Sequence, residues 1–434
     1  PVRRRAAPAL RKANQAACAY RSRASRGETT RTHRRQHDHR KVSLPAGSAP
    51  VAAGGPGESW VEKGSLVLYR VRYSLPWMPK NSSYRASTTF DARLDGLTQL
   101  LLIALIIGGV VARVHDFGYP DELTWDEHHF VENARNILAT RSDWNDHPPL
   151  GKLLLAIGIV ALGDEGAGWR AAPLLLGLIL IALAFALGAS AFRSRMAGLY
   201  ASAFIAASGF AMAFSKTALL DGMLATSMVA AALTLWRART WRGLLLGAVL
   251  IGLSTSIKFT GIVLVVPLGL VTVPRLGASS RAFGALLLAL VTILAVYVAQ
   301  FSIGLWVAGD EHGVADVAKK TVELFRHHIG LDDWKHSATS RWYTWFVPLK
   351  AVRLHLARDE GLIRMLTTAG NPILWWGVNL SVLWTAIDWL RRMRGGLAVT
   401  CRDATPISKG QMYLALSWFL PLCPWILTNR DSYI

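Results

Sequence analysis

The chain has few cysteines, and few acidic residues relative to its basic ones. Its three cysteines are Cys18, Cys401 and Cys423, and no pair of them has the spacing of metal ligands. An odd and scattered set of thiols argues against a disulfide framework. Asp and Glu together number 28 against 48 Lys and Arg, so the formal charge is +20. Because 52% of the residues are nonetheless hydrophobic, charge and apolar character must be segregated along the chain.

The first residues carry much of the positive charge and lack large apolar side chains. Thirteen of the Lys and Arg lie in the first 41 residues, against only Glu28 and Asp38. Such a segment cannot bury a core, so residues 1–90 are predicted to be a basic, mostly disordered extension before one domain at 91–434. The apolar core of a signal peptide is missing. No regular pattern of aromatic residues between the basic ones supports an RNA-binding arm, so a lipid-facing cytoplasmic tail, or an upstream extension foreign to the native protein, is favoured.

The remaining sequence alternates long apolar runs with short polar ones. A membrane-spanning helix needs about 20 mostly apolar residues. Leu150–Leu162 is apolar but shorter, so we interpret it as an interfacial or re-entrant helix. The fold class predicted is therefore all-α and polytopic, with about nine transmembrane helices. The predicted spans are Leu94–Val114, Arg170–Phe192, Ala197–Phe214, Leu219–Trp236, Leu244–Ile257, Phe259–Val273, Ala282–Val307, Gly370–Leu390 and Met412–Leu427.

The distribution of arginine orients these spans. Basic residues in short loops favour the cytoplasmic side of a membrane. With the basic N-terminus inside, the loops near Arg193, Arg237, Arg275 and Arg391 all fall inside. Counting Leu150–Leu162 as a further crossing would place the later arginine loops outside. The rule therefore places the polar insert between the first two spans, and the long segment 308–369, on the external face.

That polar insert is the most unusual part of the sequence. It contains three acids and three histidines, at Asp126, Glu127, His128, His129, Asp146 and His147. Ionisable groups at a bilayer edge are costly unless they serve a site. The alternative interpretation is a solvated loop. The Pro-Pro break that follows His147 favours a functional site, and the predicted topology brings Asp221, Lys258 and His336–Trp345 to the same face.

Seven stretches resemble, in order, the protein O-mannosyltransferases, which are polyprenyl-phosphate-sugar transferases of the GT-C type. The resemblance covers about residues 90–434. Eukaryotic members carry a large soluble MIR domain in the loop that here spans only about 308–369, so the chain resembles the shorter bacterial form. The chain is also expected to be truncated at its C-terminus. The stretches are Asp126–Phe130, Asp146–Lys152, Trp169–Pro173, Ala218–Met223, Ser256–Gly261, His336–Pro348 and Gly370–Trp376.

The resemblance implies inverting transfer of mannose from a polyprenyl-phosphate carrier to Ser or Thr hydroxyls of exported proteins. A carboxylate within hydrogen-bond reach can accept the hydroxyl proton, and this role is assigned to Asp126 by its place in the motif. Glu127 would orient the acceptor or a neighbouring cation. Asp146 and His147 would shape the sugar pocket. The remaining substrate-binding candidates are Arg170, Lys258 and Arg341 as phosphate clamps, together with Asp221 and His336.

Several of these residues have plainer interpretations. Arg170 and Lys258 could be snorkelling side chains at helix ends, and Asp221 could cap a helix. His128, His129 and His147 with Asp146 could be drawn as a zinc set, but their spacing matches no metal motif, so no metal is expected. The paired Trp375 and Trp376 could be interface-belt aromatics.

Two other function classes remain open. A related transferase could move aminoarabinose or another sugar from a polyprenyl carrier to lipid or glycan. A transporter would show paired inverted repeats and helices broken at the midplane, which the sequence does not show. The favoured interpretation is a multi-pass cell-membrane enzyme with an external active site. Its partners would be a polyprenyl-phosphate sugar donor, a Ser/Thr-containing acceptor protein and membrane lipids, without nucleic acid and without a certain cofactor.

Overall fold

A computed structural model describes seven stretches of the chain, all within the unit Ser83–Ile434. Predictions about the basic extension up to residue 88, and about His336, fall outside the described residues. The described stretches are residues 89–142, 146–269, 280–330, 340–346, 351–359, 362–394 and 406–428.

The apolar runs fold as helices, as predicted, because Leu, Ala and Ile dominate them and Gly or polar residues punctuate them. The first seven helices are α1 (Thr89–Val114), α2 (Glu127–Leu138), α3 (Leu150–Leu162), α4 (Gly166–Phe192), α5 (Arg195–Ala207), α6 (Gly209–Ser215) and α7 (Leu220–Arg237). The next six are α8 (Trp241–Ile257), α9 (Ser280–Val307), α10 (Val314–Ile329), α11 (Pro372–Arg394), α12 (Pro406–Phe419) and α13 (Cys423–Thr428). Short 3-10 turns occupy Phe259–Leu264, Trp342–Phe346 and Leu420–Leu422.

One element of the described chain departs from the all-α prediction. Strands β1 (Arg353–Asp359) and β2 (Leu362–Thr367) pair as an antiparallel hairpin between α10 and α11. Val352 and Leu354 are buried in the same core cluster as α2 and α3. The hairpin is therefore packed onto the helical body beside the polar insert.

Several of the described helices have the length and apolar composition of membrane spans. Within the described residues, Asp95–Val114, Gly166–Phe192 and Ser280–Val307 are long and apolar enough to cross a bilayer. A fourth span is formed if α5 and α6, which meet at 65°, are counted as one broken crossing. The count of nine spans stays a prediction.

Helix α3 is short, as expected for Leu150–Leu162, and it packs closely on α4. A Cβ on Gly158 would lie 2.3 Å from the carbonyl oxygen of Gly168, so only glycine permits this approach. The connection between the two helices includes Gly163 at φ +94°, a conformation that disfavours other residues. Whether α3 lies at the membrane interface stays a prediction.

The break between α5 and α6 is fixed by a buried arginine of α1. The Arg113 guanidinium donates to the carbonyl oxygens of Ile205 and Ala206, both at 2.9 Å, and to Ser215 Oγ at 3.3 Å. Carbonyls in the last turn of a helix have no donor within the helix, and Ile205 has only one further donor among the described residues, the Ser208 N–H at 3.4 Å. Beyond α6, Lys216 Nζ donates to the carbonyl oxygen of His115 at 2.6 Å. The two contacts fix the segment that leads into α7.

The largest cluster of buried side chains lies beneath the polar insert. It joins α2, α3, the α6–α7 connection and the residues before and within β1. Its central members with almost no exposure are Val131, Ala134, Leu155, Ala218, Leu220 and Met223. The charged residues of the insert are therefore held on a packed platform.

Candidate active site

The two neighbouring acids of the insert face different environments. Asp126 is the residue before α2, and Glu127 is the first residue of that helix. Trp125 precedes them at φ +49°, a left-handed conformation that non-glycine residues rarely adopt. Glu127 is completely buried, whereas Asp126 is half-buried and makes no capping hydrogen bond with its side chain. The two adjacent carboxylates therefore differ in burial: Glu127 is enclosed by protein, and Asp126 is partly accessible.

Glu127 is saturated by protein donors. Its Oε2 accepts hydrogen bonds from Thr124 N at 2.8 Å and Thr124 Oγ1 at 2.9 Å. Its Oε1 accepts from Ala218 N at 2.6 Å, across 91 residues of sequence. Arg170 contacts both oxygens, through Nε to Oε1 at 2.9 Å and Nη2 to Oε2 at 2.7 Å. Glu127 thus contacts a neighbouring cation, and its role in the site stays a prediction.

All five N–H donors of Arg170 are engaged. Besides its two bonds to Glu127, Nη1 donates to the carbonyl oxygens of Gly118 and Pro120, and Nη2 donates to that of Glu122 at 2.9 Å. The side chain is 1% exposed. A guanidinium has five donors in a planar fork, so none remains for a substrate phosphate. The phosphate-clamp and snorkelling interpretations both fail to fit this geometry, in which Arg170 gathers the loop 118–122 around Glu127.

Asp126 lies in a field of mixed charge. Burial raises the pKa of Asp126 above its ordinary value, and the carboxylates of Asp221 and Asp146 act in the same direction. His129 and Lys258 oppose them and lower the pKa. The folded chain therefore brings Asp126, Asp146, Asp221 and Lys258, all selected from the sequence, within electrostatic range of one another. A carboxyl with a raised pKa is a better proton acceptor than an ordinary one, provided it is ionised.

Asp221 and Lys258 form an ion pair between α7 and the end of α8. Lys258 Nζ lies 2.8 Å from Asp221 Oδ1 and 2.9 Å from Oδ2. Asp221 lies in the first turn of α7, where a carboxylate is favoured by the helix dipole. The side chains are 45% and 18% exposed, so the pair stays accessible from solvent. Lys258 is thus placed by a partner and does not simply extend to the interface.

Asp146 and His147 begin the Pro-Pro turn before α3. His147 is half-buried, and its ring stacks on Phe130 of α2 with centroids 6.0 Å apart. Its carbonyl oxygen accepts from the buried Lys152 Nζ at 2.5 Å. The Asp146 carbonyl oxygen lies 2.6 Å from Nε2 of His328, a residue of α10. The turn is therefore held from two sides.

Arg341 belongs to a different segment of the chain, between α10 and α11. It is exposed and immediately precedes the 3-10 turn Trp342–Phe346. That turn is attached to α11, because Trp375 Nε1 donates to the Trp345 carbonyl oxygen at 2.6 Å. Trp375 also meets Phe210 with ring centroids 6.0 Å apart, so it packs internally, whereas Trp376 is 53% exposed. Only Trp376 fits the interface-belt interpretation.

Metal binding is not suggested by the side chains that the structure describes. No group of three His, Cys, Asp or Glu side chains among them is arranged to hold a metal ion. His128 and His129 are exposed on α2. The zinc set drawn from the sequence is therefore not assembled among these residues.

Sequence reasoning did not select His328 or Arg113. His328 follows His327 at the end of an amphipathic helix, and this histidine pair was the available signal. Arg113 ends an apolar run, where a basic residue is expected at an interface, so its burial gave no signal. The contact of His355 Nδ1 with Glu122 Oε1 at 3.3 Å was also missed, because it depends on the hairpin.

Two family models match the chain. Residues 146–301 match "Dolichyl-phosphate-mannose-protein mannosyltransferase", and residues 314–434 match "C-terminal four TMM region of protein-O-mannosyltransferase". The charge cluster described above falls largely in the first region. The 3-10 turn after Arg341 and the hairpin fall in the second.

Curated relatives agree with these models. The polyprenol-phosphate-mannose–protein mannosyltransferase of Mycobacterium tuberculosis H37Rv is 25% identical over 60% of this chain and 64% of its own length. Its counterpart in Mycolicibacterium smegmatis strain mc(2)155 is 30% identical over 32% of this chain and 28% of its own length. The chain thus spans less than two thirds of the relatives that it matches.

A solved structure is also similar. The Saccharomyces cerevisiae protein O-mannosyltransferase Pmt1–Pmt2 complex, bound to the sugar donor, aligns with a TM-score of 0.43 and 22% identity. The alignment covers 49% of this chain and 34% of the yeast chain. The two family models and the mycobacterial relatives confirm the resemblance to the protein O-mannosyltransferases that was found in the sequence.

Proposed function

We propose that the protein transfers mannose, with inversion, from polyprenyl-phosphate-mannose to Ser or Thr hydroxyls of exported proteins. The names of the mycobacterial relatives give polyprenol-phosphate-mannose as their donor and protein as their acceptor. The observation that carries the proposal to this chain is the pairing of a half-buried Asp126, whose pKa is raised, with a nearby cation, Lys258. A base and a cation are the two groups that such a displacement requires.

The reaction balances with one base. The acceptor oxygen attacks the anomeric carbon of mannose, and a new carbon–oxygen bond forms on the face opposite the phosphate. The bond from the anomeric carbon to the phosphate oxygen breaks, and its electron pair leaves with the polyprenyl phosphate. The hydroxyl proton passes to the Asp126 carboxylate. Asp126 is suited to this task because, within the described residues, no hydrogen bond or ion pair occupies its carboxylate.

The leaving phosphate needs positive charge. Lys258 is our first candidate for the cation that contacts this phosphate, since it interacts electrostatically with Asp126 and is held by Asp221. A cation placed in advance where negative charge develops lowers the barrier without reorganisation. Arg341 is a second proposed contact, and Asp146 and His147 are proposed to contact the mannose. His336 remains a proposed substrate contact by its place in the family motif.

Glu127 and Arg170 are proposed to position the site without touching substrate. Their pair fixes the start of α2, and hence Asp126, to the loop 118–122 and to the Ala218 amide. We further propose that this assembly faces the exterior of the cell, because the arginine-rich loops would then all remain in the cytoplasm.

A transfer assay tests the proposal. The protein is reconstituted in lipid nanodiscs with polyprenyl-phosphate-mannose and a Ser/Thr-containing peptide, and mannosyl peptide is measured by mass spectrometry. The same peptide with Ala at every Ser and Thr is the control. Product with the first peptide and none with the second supports the function. Absence of product from a folded protein that binds the donor would contradict it.

A further inference from the structure

The imidazole of His328 lies against the Pro-Pro turn of the candidate site. Its Nε2 is 2.6 Å from the carbonyl oxygen of Asp146. Its ring stacks on that of His147, with centroids 5.0 Å apart and planes inclined by 21°. Because a carbonyl oxygen only accepts hydrogen bonds, Nε2 must carry a proton and donate. One side chain thus contacts both residues proposed to shape the sugar pocket.

The turn depends on side chains for its hydrogen bonds. Pro148 and Pro149 follow His147, and proline has no N–H to donate. The carbonyl oxygens of Asp146 and His147 are instead bound by His328 and by Lys152. A carbonyl shielded from water that loses its donor is costly, so these two side chains help to fix the position of the turn.

Helix α10 holds His328 firmly in this place. Val317 and Leu324 are buried in one cluster with Phe301 and Leu305 of α9. The hydroxyls of Tyr297 in α9 and Thr321 in α10 add a hydrogen bond, with their oxygens 2.9 Å apart. The ring of His328 therefore projects from a helix anchored over several turns.

The position of the Pro-Pro turn affects the surroundings of Asp126, the proposed base. The Asp146 carboxylate interacts with Asp126, and the His147 ring stacks on Phe130, four residues after Asp126 in the chain. A displaced turn would move both side chains relative to the anomeric carbon of a bound donor. It would leave Lys258 and Asp221 where they are, since that pair belongs to α7 and α8.

We propose that His328 is a positioning residue, which holds Asp146 and His147 in the orientation that recognises the mannose of the lipid-linked donor. The inference rests on the proposed function. It assigns to α10 a part in sugar recognition that is separate from phosphate binding. The hydrogen bond from Nε2 is the essential contact, and the stacked ring is secondary.

Two binding titrations separate these roles. One uses polyprenyl-phosphate-mannose and the other uses polyprenyl phosphate without sugar, each with the protein in nanodiscs. His328→Phe keeps an aromatic ring and loses the donor, whereas His328→Gln keeps an amide donor. H328F should weaken binding of the mannosyl donor by up to about tenfold, the usual worth of one hydrogen bond, and leave binding of the sugar-free lipid unchanged. H328Q should recover most of the loss. Lys319→Gln, an exposed position on α10, is the control.

The outcomes distinguish a failure of the proposed function from a failure of the positioning role of His328. If wild-type protein binds neither lipid, the proposed function is overturned, and the positioning role that rests on it is overturned with it. If wild type binds both and H328F binds both equally well, or loses both equally, the positioning role is overturned while the function stands. If H328F does not fold, His328→Asn replaces it, because its shorter amide does not reach the Asp146 carbonyl and the same selective loss is expected. In transfer assays, H328F should raise KM for the donor and leave KM for the peptide unchanged.

Discussion

Glu127 and Arg170 form a bidentate ion pair in which both side chains are buried, at 0% and 1% exposure. The pair joins the start of α2 to α4 across 43 residues of sequence. Its remaining hydrogen bonds reach Thr124, Ala218 and the carbonyls of loop 118–122. A cation and an anion so fully engaged with protein groups act as structural support for the neighbouring Asp126.

Breaking this pair from one side should destabilise the fold. Glu127→Gln removes the negative charge and presents an amide N–H to the Arg170 donors. Loss of one partner of a buried pair costs about 3–5 kcal/mol, because the other charge stays buried and uncompensated. The free energy of unfolding in detergent should fall by that order for Glu127→Gln.

The matched control is Glu132→Gln, on the same helix. The Glu132 side chain is 59% exposed and pairs with Arg135 at 3.6 Å, and such surface pairs contribute about 0–1 kcal/mol. A double variant of Glu127 and Arg170 should lose less stability than the sum of the single variants. Equal stability for Glu127→Gln and Glu132→Gln would contradict the structural role.

Asp126→Asn should reduce activity without reducing stability, the opposite of the effect expected for Glu127→Gln. It keeps the size of the side chain and removes the proton acceptor, so the rate of transfer should fall by about 10²–10⁴-fold. Because burial raises the pKa of Asp126, its ionised form is disfavoured in the fold, and a neutral amide should not reduce stability at neutral pH. Both the rate and the unfolding midpoint are measured. Near-normal turnover in the folded variant would refute the assignment of Asp126 as base.

The sequence identified this pair of acids, and the family motif suggested a role for each, but the sequence could not show which of the two is buried. Asp126 and Glu127 are adjacent and chemically alike. Which one is buried depends on Arg170 and Ala218, which are 43 and 91 residues away from Glu127 in the chain. No local pattern carries that information. Tertiary contacts show which acid is bound by protein groups, and the catalytic roles taken from the family motif stay predictions.

Helices were predictable because a run of about 20 apolar residues has few alternatives in a bilayer. Predicted and observed ends of the first span both fall at Val114. The hairpin was not predicted, although Leu354 and Leu356 alternate with polar neighbours, because it lies in a segment treated as a loop. His328 was missed for the related reason that its partner turn lies 182 residues earlier.

The proposed external position of the insert predicts selective labelling. A cysteine at Ser142, an exposed position after α2, should react with a membrane-impermeant maleimide in intact spheroplasts. A cysteine at Arg239, exposed after α7, should react only after the membrane is opened. Both variants are made with Cys18, Cys401 and Cys423 replaced by Ser, which also provides the unlabelled control. Labelling of Arg239→Cys alone in intact cells would invert the topology and place the candidate site in the cytoplasm.

The charges around Asp126 predict how transfer depends on pH. A general base works only when it is ionised, so kcat/KM should fall as the pH drops through the pKa of Asp126. That fall should be centred above the ordinary value of about 3.9 for aspartate, because burial raises the pKa. Asp221 raises it further and Lys258 lowers it. Replacing each of these two residues should therefore shift the acidic limb in opposite directions.

Asp221→Asn removes an anion that favours the protonated form, so the pKa of Asp126 should decrease and the acidic limb should move to lower pH. Lys258→Gln removes a cation that favours the ionised form, so the pKa of Asp126 should increase and the acidic limb should move to higher pH. The maximal rate of this variant should also be lower, because the proposed phosphate contact is lost. Asp116→Asn is the control, since Asp116 is 52% exposed and is not among the charges that act on Asp126. The measurement is kcat/KM for the peptide across the pH range at fixed ionic strength, because this ratio reports the groups of the free enzyme. If Asp221→Asn and Lys258→Gln shift the limb in the same direction, or if Asp116→Asn shifts it as far, the acidic limb does not report Asp126 under the influence of Asp221 and Lys258.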